Sequence, residues 1–222
     1  MVSNYSLLKR PWVFIGIVFS FLCPPVLICY LQRIFFIMYT GWRKRSFGLF
    51  EGELVGHIKI IGDGKRISIG KGTYIENGVE FQIITQANGK SFNPSIKIGN
   101  NCRINHDTQL SSTNSIIIGD NVGIAARTLI VDTVHGNFNM KSFTFNEGKD
   151  VPDVFLKNVF TREYYSKGPV VIEDNVHIAM NCVIMPGILI GHNSIIAANT
   201  VVDKNIPPYS IVSGNPCDII SY

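Results

Sequence analysis

Ile172, Ile178, Ile184, Ile190, Ile196 and Val202 stand six residues apart without a slip. The same interval joins Ile69, Ile75 and Phe81, then Ile98, Ile104 and Leu110, then Ile118, Ile124 and Ile130. An amphipathic helix repeats its apolar residues at three and four, and a half-buried strand at two. Six fits neither. It suits a parallel β-helix, in which each short strand turns one aliphatic side chain inward before the chain bends at a corner. Three strands make one triangular coil of ~18 residues, and stacked coils bury a continuous apolar column. The repeating stretches 58–81, 96–132 and 170–204 cover 96 residues, enough for about five coils. Composition agrees: 32 Ile stand against 11 Leu, and Ile packs well on pleated surfaces whereas Leu favours helices. At 46 % hydrophobic and 16 % charged residues, disorder is excluded and an all-β fold is expected.

Charge is distributed unevenly. Residues 1–50 hold Lys9, Arg10, Arg33, Arg43, Lys44 and Arg45 and no acid, which leaves 14 basic against 16 acidic residues in the remainder. The formal +4 therefore belongs to the N-terminus, and nucleic acid is not an expected partner. From Trp12 to Leu31 twenty residues carry no charge, and Ile34 to Tyr39 resume the apolar run. A signal peptide fits poorly, because the run is long and no small-x-small cleavage pattern follows. Pro24-Pro25 interrupts a straight span. The arms Trp12–Cys23 and Val26–Tyr39 would each reach ~18–21 Å as helices, short of a ~30 Å hydrocarbon core. Basic residues at both ends place both ends on the cytoplasmic side. The expectation is a helical membrane segment over residues 1–45, bent or re-entrant over 11–39, with a single span as its competitor. Residues 46–222 then form the β-helix domain on the cytoplasmic face of that membrane.

The C-terminal run carries the most specific motifs. Gly168-Pro169-Val170-Val171-Ile172-Glu173-Asp174-Asn175-Val176-His177-Ile178-Ala179 leads through Met185-Pro186-Gly187 to Ile206-Pro207-Pro208-Tyr209-Ser210 and Gly214-Asn215-Pro216. In these motifs the chain resembles the left-handed β-helix hexapeptide acyltransferases, in particular the maltose, galactoside and polysaccharide O-acetyltransferase branch, over residues 58–217. The left hand comes from that resemblance, as do acetyl-CoA as donor, a saccharide acceptor, a homotrimer and active sites shared between subunits.

Between Ile130 and Val170 the six-residue register stops, leaving an extruded loop over 133–169. Long structureless insertions in a compact domain are usually functional. This one opens with Val131-Asp132-Thr133-Val134-His135-Gly136, and the resemblance puts the family's catalytic histidine at His135. The bland reading is a surface histidine beside a turn glycine. Chemically, a sugar hydroxyl is barely acidic, so its attack on a thioester needs a base, and imidazole titrates near neutrality. Asp132 is a candidate to orient His135, a role that a loop carbonyl fills equally well. Asn105 and Asp107 resemble the acceptor-side Asn and Asp of sugar acetyltransferases, and Asn is also an ordinary corner residue. By the same resemblance the pantetheine arm passes Ala179 and Ala197, and Lys204 contacts the phosphates of the coenzyme. His177 stands where the family often carries Trp. His192 stands at a corner usually held by an acid and reads as solvated.

The loop also holds Phe138, Phe143, Phe145, Phe155, Phe160, Tyr164 and Tyr165, as a lid, a sugar-stacking surface, a subunit contact or a satellite core. Cys23, Cys29, Cys102, Cys182 and Cys217 show no zinc spacing and read as reduced thiols, and no metal is expected. The leading expectation is acetyl-CoA-dependent O-acetylation of a bacterial surface polysaccharide or its lipid-linked precursor. Alternatives are a sugar-nucleotide N-acetyltransferase, a non-catalytic β-helix, and a γ-type carbonic anhydrase. The last needs three histidines on zinc, and the position five residues after His135 is Met140.

Overall fold

The computed structural model describes residues 25–135, 158 and 162–221. The chain divides between Trp42 and Arg43 into two compact units. A helix covers Pro25–Arg43, all but its last residue in the first unit. Leu27, Tyr30, Leu31, Phe35, Ile37, Met38 and Trp42 are exposed along it. Among the described residues no helix is long and apolar enough to cross a membrane. A spanning helix, the competing expectation, is therefore not supported on the described part, where Gln32 and Arg33 dilute the apolar run and the helix continues past Tyr39 into Thr40 and Arg43. The arm Trp12–Cys23 lies outside the described residues.

The second unit is a three-sided parallel β-helix. Its first sheet stacks Leu49–Phe50, Ile67–Ile69, Ser95–Ile98, Ser115–Ile118, Val170–Ile172 and Leu189–Ile190. The second stacks Glu53–Leu54, Tyr74–Ile75, Arg103–Ile104, Gly123–Ile124, His177–Ile178, Ile195–Ile196 and Ile211–Ser213. The third stacks Lys59–Ile61, Glu80–Ile83, Gln109–Ser112, Leu129–Val131, Val183–Ile184 and Val201–Val202. Pairing within each stack is parallel, and the strand Asp218–Ser221 closes the second sheet by running antiparallel to Ile211–Ser213.

Register explains the six-residue interval. On the second face Leu54, Ile75, Ile104, Ile124, Ile178, Ile196 and Val212 are successive ladder partners. On the third, Ile60, Phe81, Leu110, Ile130, Ile184 and Val202 are. These inward side chains are almost all inaccessible: Ile75, Ile104, Ile130, Ile178, Ile184 and Ile196 are each 0 % exposed. Burying each one contributes ~1.5–3 kcal/mol. Phe47, Phe50 and Phe81 close the first end of the column, with Phe47 to Phe50 ring centroids 4.7 Å apart.

The described strands make six complete coils rather than about five. The additional coil is Leu49–Ile61, whose anchors Phe50, Leu54 and Ile60 break the even six-residue spacing. A 3-10 turn, Gly64–Arg66, capped by Asp63, separates it from the next.

Corners carry the polar pattern. Left-handed backbone occurs at Asn101, Asn121, Asn175 and Asn193 between the first and second sheets, and at Asp107, Arg127, Asn181 and Asn199 between the second and third. Asn and Asp tolerate that conformation best among residues with a side chain. Corners between the third and first sheets are different. Two excursions leave there, one carrying the hairpin Gln86–Ala87/Lys90–Ser91 and one running from Asp132 to Pro169.

Candidate active site

His135 ends the strand Thr133–His135, which leaves the fourth coil at the third corner and pairs antiparallel with Tyr164–Ser166. The imidazole is exposed, and its ring centroid lies 4.4 Å from that of Tyr164 at an interplanar angle of 55°. The excursion returns over Gly187. That glycine has φ +77°, and a β-carbon there would sit 2.8 Å from the Lys167 carbonyl oxygen. Gly136 and Phe138, Phe143, Phe145, Phe155 and Phe160 lie outside the described residues; Tyr164 and Tyr165 stand on the returning strand.

Asp132 is engaged by the preceding coil. Its carboxylate is fully buried and accepts from Ser112 Oγ at 2.6 Å, Thr113 N at 2.8 Å, Thr113 Oγ1 at 3.2 Å and Asn114 N at 2.8 Å. All four donors belong to the turn one coil earlier. Both oxygens are committed, and none of the bonds among the described residues joins Asp132 to His135. The side chain fixes the corner from which the excursion departs.

The remaining candidates divide between two corners. Asn105, Ala179 and Ala197 share one ladder at the corner between the second and third sheets, where Asn105 N donates to Ile124 O, Ala125 N to Ile178 O, Ala179 N to Ile196 O and Ala197 N to Val212 O. Asn105 Oδ1 is buried and has no hydrogen-bond partner among the described residues. Asp107 turns the same corner with φ +58°, as Asn181 and Asn199 do in later coils, and its Oδ2 lies 3.0 Å from His106 Nδ1. Its geometry is that of a corner residue.

Lys204 instead lies at the third corner, with His135. It is exposed, 3.4 Å from Asp218, and two coils beyond the one that His135 leaves. Strand spacing in a sheet sets those two coils ~10 Å apart along the stack. The third sheet thus intervenes between His135 with Lys204 and Asn105 with Ala179 and Ala197. Within one chain these two groups do not converge.

His177 points outward on the second sheet beside Gly123, whose missing β-carbon leaves room for the ring. His192 is not simply solvated: its backbone N–H and Nδ1 lie 2.8 and 2.9 Å from Glu173 Oε2, and its ring meets Tyr209 edge-on. That bond holds the Glu173 carboxyl below the usual carboxylate range. Burial pushes the thiols of Cys102, Cys182 and Cys217 up, and they are inert positions in the wall of the helix. No group of three metal-ligating side chains occurs among the described residues.

One feature escaped the sequence reading. The first excursion, with its Asn88-Gly89 turn, packs on the second. Asn88 Nδ2 donates to Arg162 O at 2.5 Å, Lys90 Nζ lies 2.8 Å from Glu163 Oε2, and the rings of Phe92 and Tyr164 are 6.3 Å apart. Its signal was available as the earlier interruption of the register, after Phe81, spanned by an Asn-Gly hairpin dipeptide.

Comparison with known proteins places this architecture. Residues 169–204 match the family model described as bacterial transferase hexapeptide (six repeats). The galactoside O-acetyltransferase of Escherichia coli (strain K12) is 32 % identical over 153 residues, which cover 69 % of this chain and 62 % of that protein. The chain thus spans less than two thirds of that relative. WbbJ of the same organism, which carries the name of a lipopolysaccharide biosynthesis O-acetyl transferase, is 28 % identical and is covered to 71 %. Among solved structures, AntD, an N-acyltransferase from Bacillus cereus in complex with dTDP and 3-hydroxybutyryl-CoA, superposes with a TM-score of 0.61 at 19 % identity, over 82 % of this chain and 87 % of that one. The stack of three parallel sheets and these hexapeptide and acyltransferase likenesses fit a left-handed β-helix.

Proposed function

From the match of residues 169–204 to the hexapeptide transferases and the likeness to galactoside O-acetyltransferase, we propose that the chain transfers an acetyl group from acetyl-CoA to a hydroxyl of a saccharide, with His135 as general base. The observation that carries this reading is His135 itself. It is an exposed imidazole where the β-helix is interrupted, with exposed Lys204 two coils further along the same corner to meet a coenzyme phosphate. His135 takes the hydroxyl proton as the oxygen attacks the thioester carbonyl. The tetrahedral intermediate collapses, the C–S bond breaks, and the imidazolium returns its proton to the departing sulfur. Such catalysis contributes ~10²–10⁴-fold.

A homotrimer belongs to the same proposal. Asn105 Oδ1 is a buried acceptor without a partner among the described residues, on the opposite edge of the third sheet from His135. A neighbouring copy that presents its His135 corner to this edge completes a site with a base, a saccharide-binding amide and a coenzyme groove beside Ala179 and Ala197. The polysaccharide acceptor, free or lipid-linked, is suggested by the name of WbbJ. Attachment to the cytoplasmic face of a membrane is supported by the apolar side chains exposed on the helix Pro25–Arg43 and by Arg43-Lys44-Arg45 at its end.

The test is transfer from acetyl-CoA labelled in the acetyl group to a galactoside and to oligosaccharides, with the product treated with mild alkali. An ester is released, and an amide, expected of an amino-sugar acceptor, survives. His135→Gln lowers the rate ~10²–10⁴-fold if the imidazole is the base. Flotation with anionic vesicles tests the attachment: loss of binding in a Phe35→Asp/Met38→Asp variant supports it, and a wild-type protein that stays at the bottom of the gradient refutes it.

A further inference from the structure

We propose that Tyr164 is the positioning residue of His135, and that the hairpin Gln86–Ser91 holds Tyr164 in place. The inference rests on the reading of His135 as the base and adds the means by which an exposed side chain at a strand end keeps one orientation. His135 and Tyr164 are direct cross-strand partners, and their rings are 4.4 Å apart, at the short end of the range for aromatic pairs. A ribbon of two three-residue strands is marginal by itself. Here it is backed.

Three consecutive residues, the two that lead into the return strand and its first, meet alternate residues of the first excursion. The Arg162 carbonyl receives Asn88, Glu163 receives Lys90, and the Tyr164 ring meets the Phe92 ring at 6.3 Å. Asn88 and Gly89 both have positive φ, +49° and +75°, which is the turn that a two-residue hairpin needs. The Lys90–Glu163 pair is exposed and adds little stability, but it fixes which residue of the return strand faces Phe92. The chain of contact therefore runs Phe92, Tyr164, His135. A general base must reach the acceptor hydroxyl within hydrogen-bond distance. Misplacement by ~1 Å costs up to ~10²-fold in rate.

The experiment uses the full chain and two readouts. Ring protons of His135, identified by their loss in His135→Gln, are followed by NMR, and the steady-state rate is measured with acetyl-CoA and the acceptor used above. Wild type and Tyr164→Phe are expected to show ring-shifted His135 signals. Tyr164→Ala and Tyr164→Leu, the latter keeping apolar bulk, are expected to lose that shift. The same two variants lose about 10–100-fold in kcat with KM for acetyl-CoA changed by less than about twofold, and Phe retains the rate. Lys90→Glu weakens both signals, and adding Glu163→Lys restores them. An unchanged His135 spectrum in Tyr164→Leu overturns the contact. A lost shift with an unchanged kcat, while His135→Gln is inactive, overturns the positioning role and leaves His135 as base. Full activity in His135→Gln overturns the functional reading and this proposal with it.

Discussion

Replacing Asp132 separates a structural carboxylate from a catalytic one. Its oxygens accept four hydrogen bonds, two of them from backbone N–H groups. Bonds to a charged group contribute ~1.5–3 kcal/mol each, and a buried donor left unpaired costs ~1–3 kcal/mol. Thr113 is only 3 % exposed, so its N–H finds no water after Asp132→Ala, whereas exposed Asn114 can be hydrated. The hydroxyls of Ser112 and Thr113 can rotate. The expected cost of Asp132→Ala is therefore ~3–5 kcal/mol, below the simple sum of four bonds. At ~2–4 °C per kcal/mol for a domain of this size, the melting temperature falls by roughly 6–20 °C. Asp132→Asn costs less, because its amide oxygen keeps one backbone donor while its NH₂ opposes the other. Melting followed by circular dichroism, with initial rates at 15 °C on the folded fraction, reads both consequences. The folded Asn variant should retain its rate within about threefold, far from the ~10²–10⁴-fold that loss of a base brings. A variant with unchanged melting temperature and a hundredfold slower rate would refute this assignment and return Asp132 to a role beside His135.

Three further outcomes follow from particular contacts. Gly187→Ala puts a β-carbon against the Lys167 carbonyl at a backbone angle that costs a residue with a side chain ~1–2 kcal/mol, so it should lower the melting temperature and raise proteolysis between Asp132 and Pro169. Under native conditions iodoacetamide should modify exposed Cys29 well before Cys102, Cys182 and Cys217, whose burial suppresses the thiolate; peptide mass mapping checks the order. The Glu80 carboxyl is held low by the bond from Gln82 and by Lys59. Its folded pKa lies below the unfolded one, so its contribution is present above the unfolded value of ~4.3 and lost as pH falls through the folded value. The stability gap between wild type and Glu80→Gln should thus narrow from pH 6 to pH 3 in denaturant titrations, and a constant gap contradicts the coupling.

The six-residue interval made most of this fold legible because each anchor in the chain becomes a ladder partner in space. Ile104, Ile124 and Ile178 are 20 and 54 residues apart in sequence yet successive in one stack. Counting failed where the interval failed. The coil Leu49–Ile61 has uneven anchors and a 3-10 turn after it, so its strands were invisible as repeats. His135 could be singled out because it begins the longest break in register. The function of Asp132 could not be read from its neighbours in sequence, since its partners lie 18–20 residues upstream, one coil away. The same holds for His192, whose partner Glu173 is 19 residues earlier. Division of the site between two corners was implicit in the repeat phase: Asn105, Ala179 and Ala197 follow second-sheet anchors, and His135 and Lys204 follow third-sheet anchors. Residue types alone do not reveal that phase.

The decisive measurement compares the surface glycan of cells carrying the wild-type chain with that of cells carrying only His135→Ala, at equal amounts of protein. Base-labile acetyl groups are read by NMR. Loss of one ester signal in the variant, with the rest of the glycan unchanged, is the predicted result and locates the hydroxyl. An identical set of acetyl esters in both strains contradicts O-acetylation of that glycan through His135.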